Sequence, residues 1–226
     1  MRHGIGAKMI PKIVHYCWLS DEEMPETMTR CMATWREKLP GWGFVRWDAA
    51  KASSLDAQWL RAAIARKQWA FASDYIRIWA LYHDGGLYLD TDVEVLKDIS
   101  PLLNRDLLVG EESGTGMVEA AVMGAAAGNS EIAKVLDSFE GSPTGETLPE
   151  RLKRVMGSEM SLMNAEVLSP KNWKTGKVNV TANTYTVHHF AGSWLNVKEK
   201  WAARMGRLLG AWAIPCTRWL FHRFGK

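Results

Sequence analysis

The chain has 226 residues, 47% hydrophobic and 23% charged, which excludes a disordered polypeptide and allows one sizeable core. Its net charge of +3 is too small to suggest a nucleic-acid partner. That charge is unevenly placed: from Lys200 to the end there are six Lys/Arg and no Asp/Glu, which leaves the remainder at −3.

Cys17, Cys31 and Cys216 are odd in number, far apart and without zinc-site spacing. They fit a reducing compartment, and a cytoplasmic location is expected. No N-terminal apolar segment reads as a signal peptide, and no stretch is apolar enough to span a bilayer. Met9 is an alternative start, which would make residues 1–8 an extension without structural importance.

Ile10 to Trp18 reads as a first buried strand, followed by a turn holding Asp21, Glu22 and Glu23. Met28, Met32 and Trp35 at helical spacing predict a helix over 25–38, stopped by Pro40-Gly41. Phe44 to Trp47 is a second short strand, and 56–69 an amphipathic helix. Ser73 is expected to cap a helix over 74–84, ended by Gly85-Gly86. Leu87 to Val95 reads as one strand and Leu107-Leu108-Val109 as a shorter one. Ser130 to Phe139 is helical and 141–145 a loop. Val167-Leu168 and Tyr185 to His188 read as late strands. Strands alternating with helices around one core imply α/β.

The most informative run is Asp84-Gly85-Gly86-Leu87-Tyr88-Leu89-Asp90-Thr91-Asp92. On an extended strand, carboxylates spaced i, i+2 point to the same side. Two hard oxygen donors held together suit Mg²⁺ or Mn²⁺, and such an ion suits a diphosphate. Just upstream, Asp74 and Arg77 share a face of a helix that is apolar nearly all round. Buried charges are costly unless paired or put to use, so the pair is either a structural ion pair or the lining of a polar site.

His188-His189-Phe190-Ala191-Gly192-Ser193-Trp194 forms a third cluster. Two readings stand: a strand end with a packed tryptophan, or a histidine joining a metal already held by aspartates. Indole N–H is a donor only, so Trp194 suits a phosphate oxygen. Trp18 suits either the core or one wall of a nucleobase pocket.

Four segments in order, from Ile10-Pro11-Lys12-Ile13-Val14-His15 through Trp18, then Ser73-Asp74-x-x-Arg77, Gly85-Gly86-x-Tyr88-x-Asp90-x-Asp92 and His189-Phe190-x-Gly192-Ser193-Trp194, carry a resemblance. The chain resembles the DXD-containing sugar transferases, which include initiating α-mannosyltransferases and bacterial capsule and lipopolysaccharide glycosyltransferases. It is also similar to the glucosyltransferase core of large clostridial toxins. The resemblance covers about residues 10 to 194.

The resemblance implies a GT-A-type, Rossmann-like nucleotide-sugar-binding fold with a central mixed sheet flanked by helices. It implies a retaining hexosyltransferase using Mn²⁺ or Mg²⁺, a nucleotide-sugar donor (UDP-hexose before GDP-mannose) and a glycan or lipid-linked acceptor in surface polysaccharide assembly. By motif position, Trp18 stacks on the donor base, and Asp74 and Arg77 bind the donor sugar. Asp90 faces the ribose or sugar, with Tyr88 beside it. Asp90, Asp92 and His189 form the metal set, and Ser193 and Trp194 hold the β-phosphate. Asp74, Arg77 and Asp90 are the expected catalytic residues. Two departures touch sugar identity. Glu119 stands where relatives often carry Asn, and the family's Gly-Pro loop after the middle helix is not clear.

Residues 1–197 are expected to form the transferase domain and 198–226 a basic, aromatic helical tail. That tail suits either packing on the domain or an anionic membrane surface, which would make the protein peripheral at the inner face of the membrane. Two other functions compete. Leu87 to Val93 also resembles the signature of haloacid-dehalogenase-type phosphatases, with Asp90 as nucleophile, but no convincing later acidic pair follows. A non-catalytic nucleotide-sugar or glycan-binding module is the third reading.

Overall fold

A computed structural model describes residues 9–157 and 160–191. Ser193, Trp194, Cys216 and the whole of the expected 198–226 tail lie outside the described residues. Strand β1 (Ile13–Cys17) leads to helix α1 (Glu26–Lys38) and strand β2 (Gly43–Trp47). Three helices follow, α2 (Ala49–Ser53), α3 (Gln58–Ala65) and α4 (Trp69–His83). Strands β3 (Gly86–Leu89), β4 (Val93–Val95), β5 (Leu107–Glu111) and β6 (Val118–Ala125) come next. Helices α5 (Ser130–Asp137), α6 (Leu148–Met156) and α7 (Ala165–Leu168) precede strand β7 (Thr186–His188).

Five strands form a sheet in the order β2-β1-β3-β6-β5. β1 runs parallel to β2 and β3, whereas β6 is antiparallel to β3 and β5, so the sheet is mixed. β4 and β7 make a separate antiparallel pair.

Alternation along β3 explains the layers. Leu87 and Leu89 pack with Val14, Trp35 and Val122 on one face, while Tyr88 joins Ile78, Met123 and Ile132 on the other. Each such buried side chain contributes about 1.5–3 kcal/mol of transfer free energy. α1 is fastened over β4 by Trp35, whose indole Nε1–H donates to the Val93 carbonyl at 2.7 Å.

Glycine permits the close strand approach at β3. Gly86 has φ +102°, and a Cβ there would sit 2.6 Å from the Ile13 carbonyl oxygen. On β6, a Cβ on Gly124 would meet Leu87 Cδ2 at 2.5 Å.

Several expectations are corrected. Ser73 does not cap a helix, because α4 already begins at Trp69 and the Ser73 hydroxyl donates back to the Ala70 carbonyl. The break lies earlier, at Lys67, whose φ of +53° separates α3 from α4. Leu87 to Val95 is two strands rather than one, with Asp90-Thr91-Asp92 in the turn between them; the Val93 N–H closes that turn on the Asp90 carbonyl at 3.0 Å. Val167-Leu168 is helical, nucleated by the Asn164 side chain accepting from the Glu166 N–H. Finally, β6 and α6 escape a reading by pattern. β6 is rich in Ala and buried along its whole length, so it shows no alternation.

Candidate functional site

In open α/β sheets, ligands bind beyond the carboxyl ends of parallel strands. Here β1 pairs with β3 in the register Val14↔Leu87 and His15↔Tyr88, so Trp18 and Asp90 leave the sheet at the same edge. The Trp18 indole is half-buried, and its Nε1–H donates to the Glu22 carbonyl at 2.9 Å. That bond fixes the ring at the mouth of the acidic turn.

Arg77 is the hub of the site. It is 4% exposed, yet it faces Asp90 at 3.0 Å and Asp74 at 3.4 Å through Nη2. Its Nη1 donates to the Ala120 carbonyl on β6. Burial opposes its charge, but Asp90, Tyr88 and Asp74 more than restore it, so the guanidinium stays ionised. Tyr88 lies beneath it, with the guanidinium carbon 4.2 Å from the ring centroid. The Tyr88 ring is itself buried, which changes its expected part: it supports Arg77 and offers no open face to a donor.

Asp74 and Asp90 carry the mark of this burial. Desolvation pushes the Asp74 carboxyl up to about 6 against the pull of Arg77. Asp90 is raised for the same reason, again opposed by Arg77 and reinforced by the neighbouring Asp92 charge. Cys17 lies close by, and burial pushes its thiol up to about 12, which leaves it protonated and a poor nucleophile.

Although the expected strand is a turn, the two aspartates still converge. One donor atom each from Asp90, Asp92 and His188 lies within 4.8 Å of the others. The third member is His188, not His189. β7 pairs His188 with Val93 and directs its ring inward, with Nε2 at 3.6 Å from Asp92 Oδ1. One residue on, the His189 ring faces the other way and meets Glu94 Oε2 at 2.9 Å through Nε2. The alternation of a strand decides this choice, and the Val93 register is information that a lone His-His pair does not contain. Asp92 also orders the chain around itself. Its Oδ2 accepts the Ala191 N–H at 2.7 Å, and its carbonyl accepts the His189 N–H at 3.1 Å. Phe190 makes that wrap with φ +53° and lays its ring 3.9 Å from the His188 ring, centroid to centroid.

Glu119 completes the arrangement in a place the sequence did not suggest. It is 1% exposed on β6, where one carboxylate oxygen accepts the Ala121 N–H at 2.7 Å. The other faces His188 Nδ1 at 3.3 Å. A carboxylate on Nδ1 leaves Nε2 directed at the aspartates, the arrangement that orients metal-binding histidines. Burial alone would raise Glu119, yet His188 brings it below the ordinary glutamate range. Burial alone would likewise lower His188, yet Glu119 and then Asp92 and Asp90 carry it up to about 9.

These shifts test whether a divalent ion fits. Among the described residues Arg77 and His188 pair directly with Asp74, Asp90, Asp92 and Glu119, while Arg151, which also acts on Asp74, is paired with Glu146, so the site has surplus negative charge. A proton on His188 offsets part of that surplus, and a hard cation would do so more fully. The donor set of two carboxylates and one imidazole suits Mn²⁺ or Mg²⁺. Expected donor ligands Ser193 and Trp194 lie outside the described residues.

Residues 25–109 match the family model described as the glycosyltransferase sugar-binding region containing the DXD motif. Over those residues the chain is similar to a DXD glycosyltransferase region. Over 103 residues the chain is 30% identical to inositol phosphoceramide mannosyltransferase 1 of Schizosaccharomyces pombe (strain 972), covering 42% of this chain and 32% of that protein. Inositol phosphoceramide mannosyltransferase 3 of the same organism is 29% identical over 124 residues, covering 53% of this chain and 34% of that protein. The chain thus spans about a third of the length of the curated relatives it matches. Among solved structures, the apo-form glycosyltransferase GlyE of Streptococcus pneumoniae TIGR4 superposes with a TM-score of 0.51 at 13% identity. That match covers 93% of this chain and 63% of GlyE, and it speaks for the fold alone. With the mixed sheet flanked by helices, it makes the fold GT-A-type.

Proposed function

We propose that the chain is a metal-dependent retaining hexosyltransferase that takes its sugar from a nucleotide-sugar. The observation that carries this reading is the convergence of Asp90, Asp92 and His188 beside Arg77, at the edge where β1 and β3 end. Asp90, Asp92 and His188 would hold Mn²⁺ or Mg²⁺, which supplies Lewis-acid neutralisation of a diphosphate. Arg77, locked by Asp74, Asp90 and the Ala120 carbonyl, adds fixed positive charge where the leaving group gathers negative charge. Asp74 accepts from a donor-sugar hydroxyl, and Trp18 offers a ring for the base.

If the anomeric configuration is retained, the occupied carboxylates favour same-face attack over a covalent double displacement. Asp74 and Asp90 pair with Arg77, Asp92 holds the Ala191 N–H, and Glu119 holds His188. None is free to form a covalent glycosyl intermediate. Trapping such an adduct on any of them would overturn this step.

The mannosyl group named in the two yeast relatives places a mannosyl donor beside UDP-hexose among those to test. Their acceptor, inositol phosphoceramide, favours a lipid-linked acceptor over a free glycan. A phosphatase reading has less support, because Asp90 is engaged by Arg77 rather than poised as a nucleophile.

Calorimetric titration of UDP and GDP, each with and without Mn²⁺, tests the assignment on the wild type and Asp92→Asn. Metal-dependent binding of one nucleotide, lost in the variant, is the expected result. A folded wild type that binds neither nucleotide with metal present would reject it.

A further inference from the structure

Residues 171–180 read Lys-Asn-Trp-Lys-Thr-Gly-Lys-Val-Asn-Val, with three lysines and no acidic residue. They form a hairpin outside the carboxylate site. Lys171 pairs antiparallel with Val178, and the Asn172 N–H donates to the Lys177 carbonyl at 2.8 Å. The Asn172 side chain orders the turn, since Oδ1 accepts the N–H groups of Lys174 and Thr175 at 3.0 and 2.9 Å. Gly176, with φ +72°, lets the chain reverse.

This hairpin gathers apolar surface that the rest of the molecule hides. Among the described residues the exposed large hydrophobics are Met9, Trp173, Val178 and Val180, and the last three all lie here, 48%, 42% and 53% exposed. Lys174 and Lys177 are exposed beside them. The hairpin is also tied to the site. Lys171 Nζ donates to the His189 carbonyl at 2.5 Å, and the Trp173 N–H donates to the Ser113 carbonyl at 3.4 Å. Asn172 packs against the backbone of Gly114, where a Cβ could not fit.

We propose that the Lys171–Val180 hairpin docks on a lipid surface bearing anionic headgroups. Trp173, Val178 and Val180 enter the interfacial layer while Lys174 and Lys177 meet the headgroups. Charge complementarity argues for this occupant. The 198–226 tail is itself basic and would be repelled. Nucleic acid would gain nothing from two exposed valines, because single strands are held by stacking on aromatic faces. Fixed to the residue that follows His188, the hairpin would hold the carboxylate site beside the membrane. The docking requires no step of sugar transfer, so it stands or falls separately from the transferase reading.

Flotation of the full chain with phosphatidylcholine vesicles, with and without phosphatidylglycerol, tests the proposal. The variants are Trp173→Ser and the double change Lys174→Ser/Lys177→Ser, both at exposed positions, with thermal melts to show that each folds. The wild type should float only with the anionic vesicles. Partitioning should fall at least fivefold in the tryptophan variant and about thirtyfold in the lysine pair. Equal flotation of wild type and both variants would overturn the proposal, as would binding indifferent to phosphatidylglycerol. A wild type that ignores both vesicles but self-associates through Trp173 would also overturn it and assign the hairpin to a second copy of the chain. Nucleotide titration of the same samples reads the transferase site independently.

Discussion

Among the described residues, two histidines are held in the interior, and they are treated in opposite ways. His15 on β1 is wholly buried in a closed set of partners: Nε2 donates to the Gly85 carbonyl at 3.0 Å, and Nδ1 accepts the Trp47 indole N–H at 3.3 Å. Burial lowers its pKa, so it stays neutral despite the Gly85 bond. His188 on β7 faces Glu119, Asp92 and Asp90 and is carried up to about 9. Both of His15's ring nitrogens are spoken for, so that cluster fastens β1 to β2 and to the turn before β3. Around His188 the charges do not balance, and an unbalanced buried cluster invites a ligand.

The sharpest way to break this contrast is to remove the cation that the acidic cluster depends on. Arg77→Ala should destabilise the protein by about 3–5 kcal/mol in urea denaturation, because it leaves Asp74, Asp90 and the Ala120 carbonyl without their partner. A loss under 1 kcal/mol would mean that the site is more hydrated than its burial implies.

Next in size is the part played by Glu119. Glu119→Ala should weaken Mn²⁺ binding about 10–100-fold in calorimetry, since His188 loses the group on Nδ1 that aims Nε2. Glu119→Gln, which keeps a hydrogen-bond acceptor, should recover part of that loss. Unchanged affinity in the alanine variant would leave Glu119 as a residue of β6 packing only.

The pH dependence of the metal-free protein separates the two histidines. His188 has its folded pKa raised, so its contribution is full below the unfolded value of 6.5 and is lost as pH rises through about 9. Stability should therefore fall by about 3 kcal/mol between those limits, and His188→Gln should flatten that slope. His15, whose pKa is lowered, works on the acid side, where stability falls as the pH drops below 6.5. Asp74, raised to about 6, opposes it there, so the acid limb should be the shallower one. Thermal melts across pH 5–9 in chelator are the measurement, and an alkaline slope that persists in His188→Gln would point to another group.

The smallest effect lies in the closed cluster. Trp47→Phe removes one donor to His15 and should cost about 1 kcal/mol while leaving Mn²⁺ affinity unchanged. A change in metal binding would show that the two clusters communicate through β1 and β3.

Asp74, Arg77, Asp90 and Asp92 were legible as a site because charges in apolar surroundings need a reason. Their geometry was not legible. The strand argument for Asp90 and Asp92 fails, because β3 ends at Leu89 and a turn brings the carboxylates together instead. His188 could be told from its neighbour only through the β4–β7 register, a pairing between segments some 90 residues apart. Glu119 looked like a departure at a sugar contact, and only the tertiary structure reveals that it faces His188 on β7.

The sequence by itself determined the α/β alternation, the Gly85-Gly86 break before a buried strand and the family of motifs. These are local properties, set by side-chain period, backbone freedom and residue type at short spacing. The tertiary structure alone decided which histidine joins the aspartates and how Arg77 is held. It also decided that the apolar Trp173, Val178 and Val180 remain outside. Each of those outcomes depends on which distant strands become neighbours, and that is settled by burial of the whole sheet rather than by any window of residues.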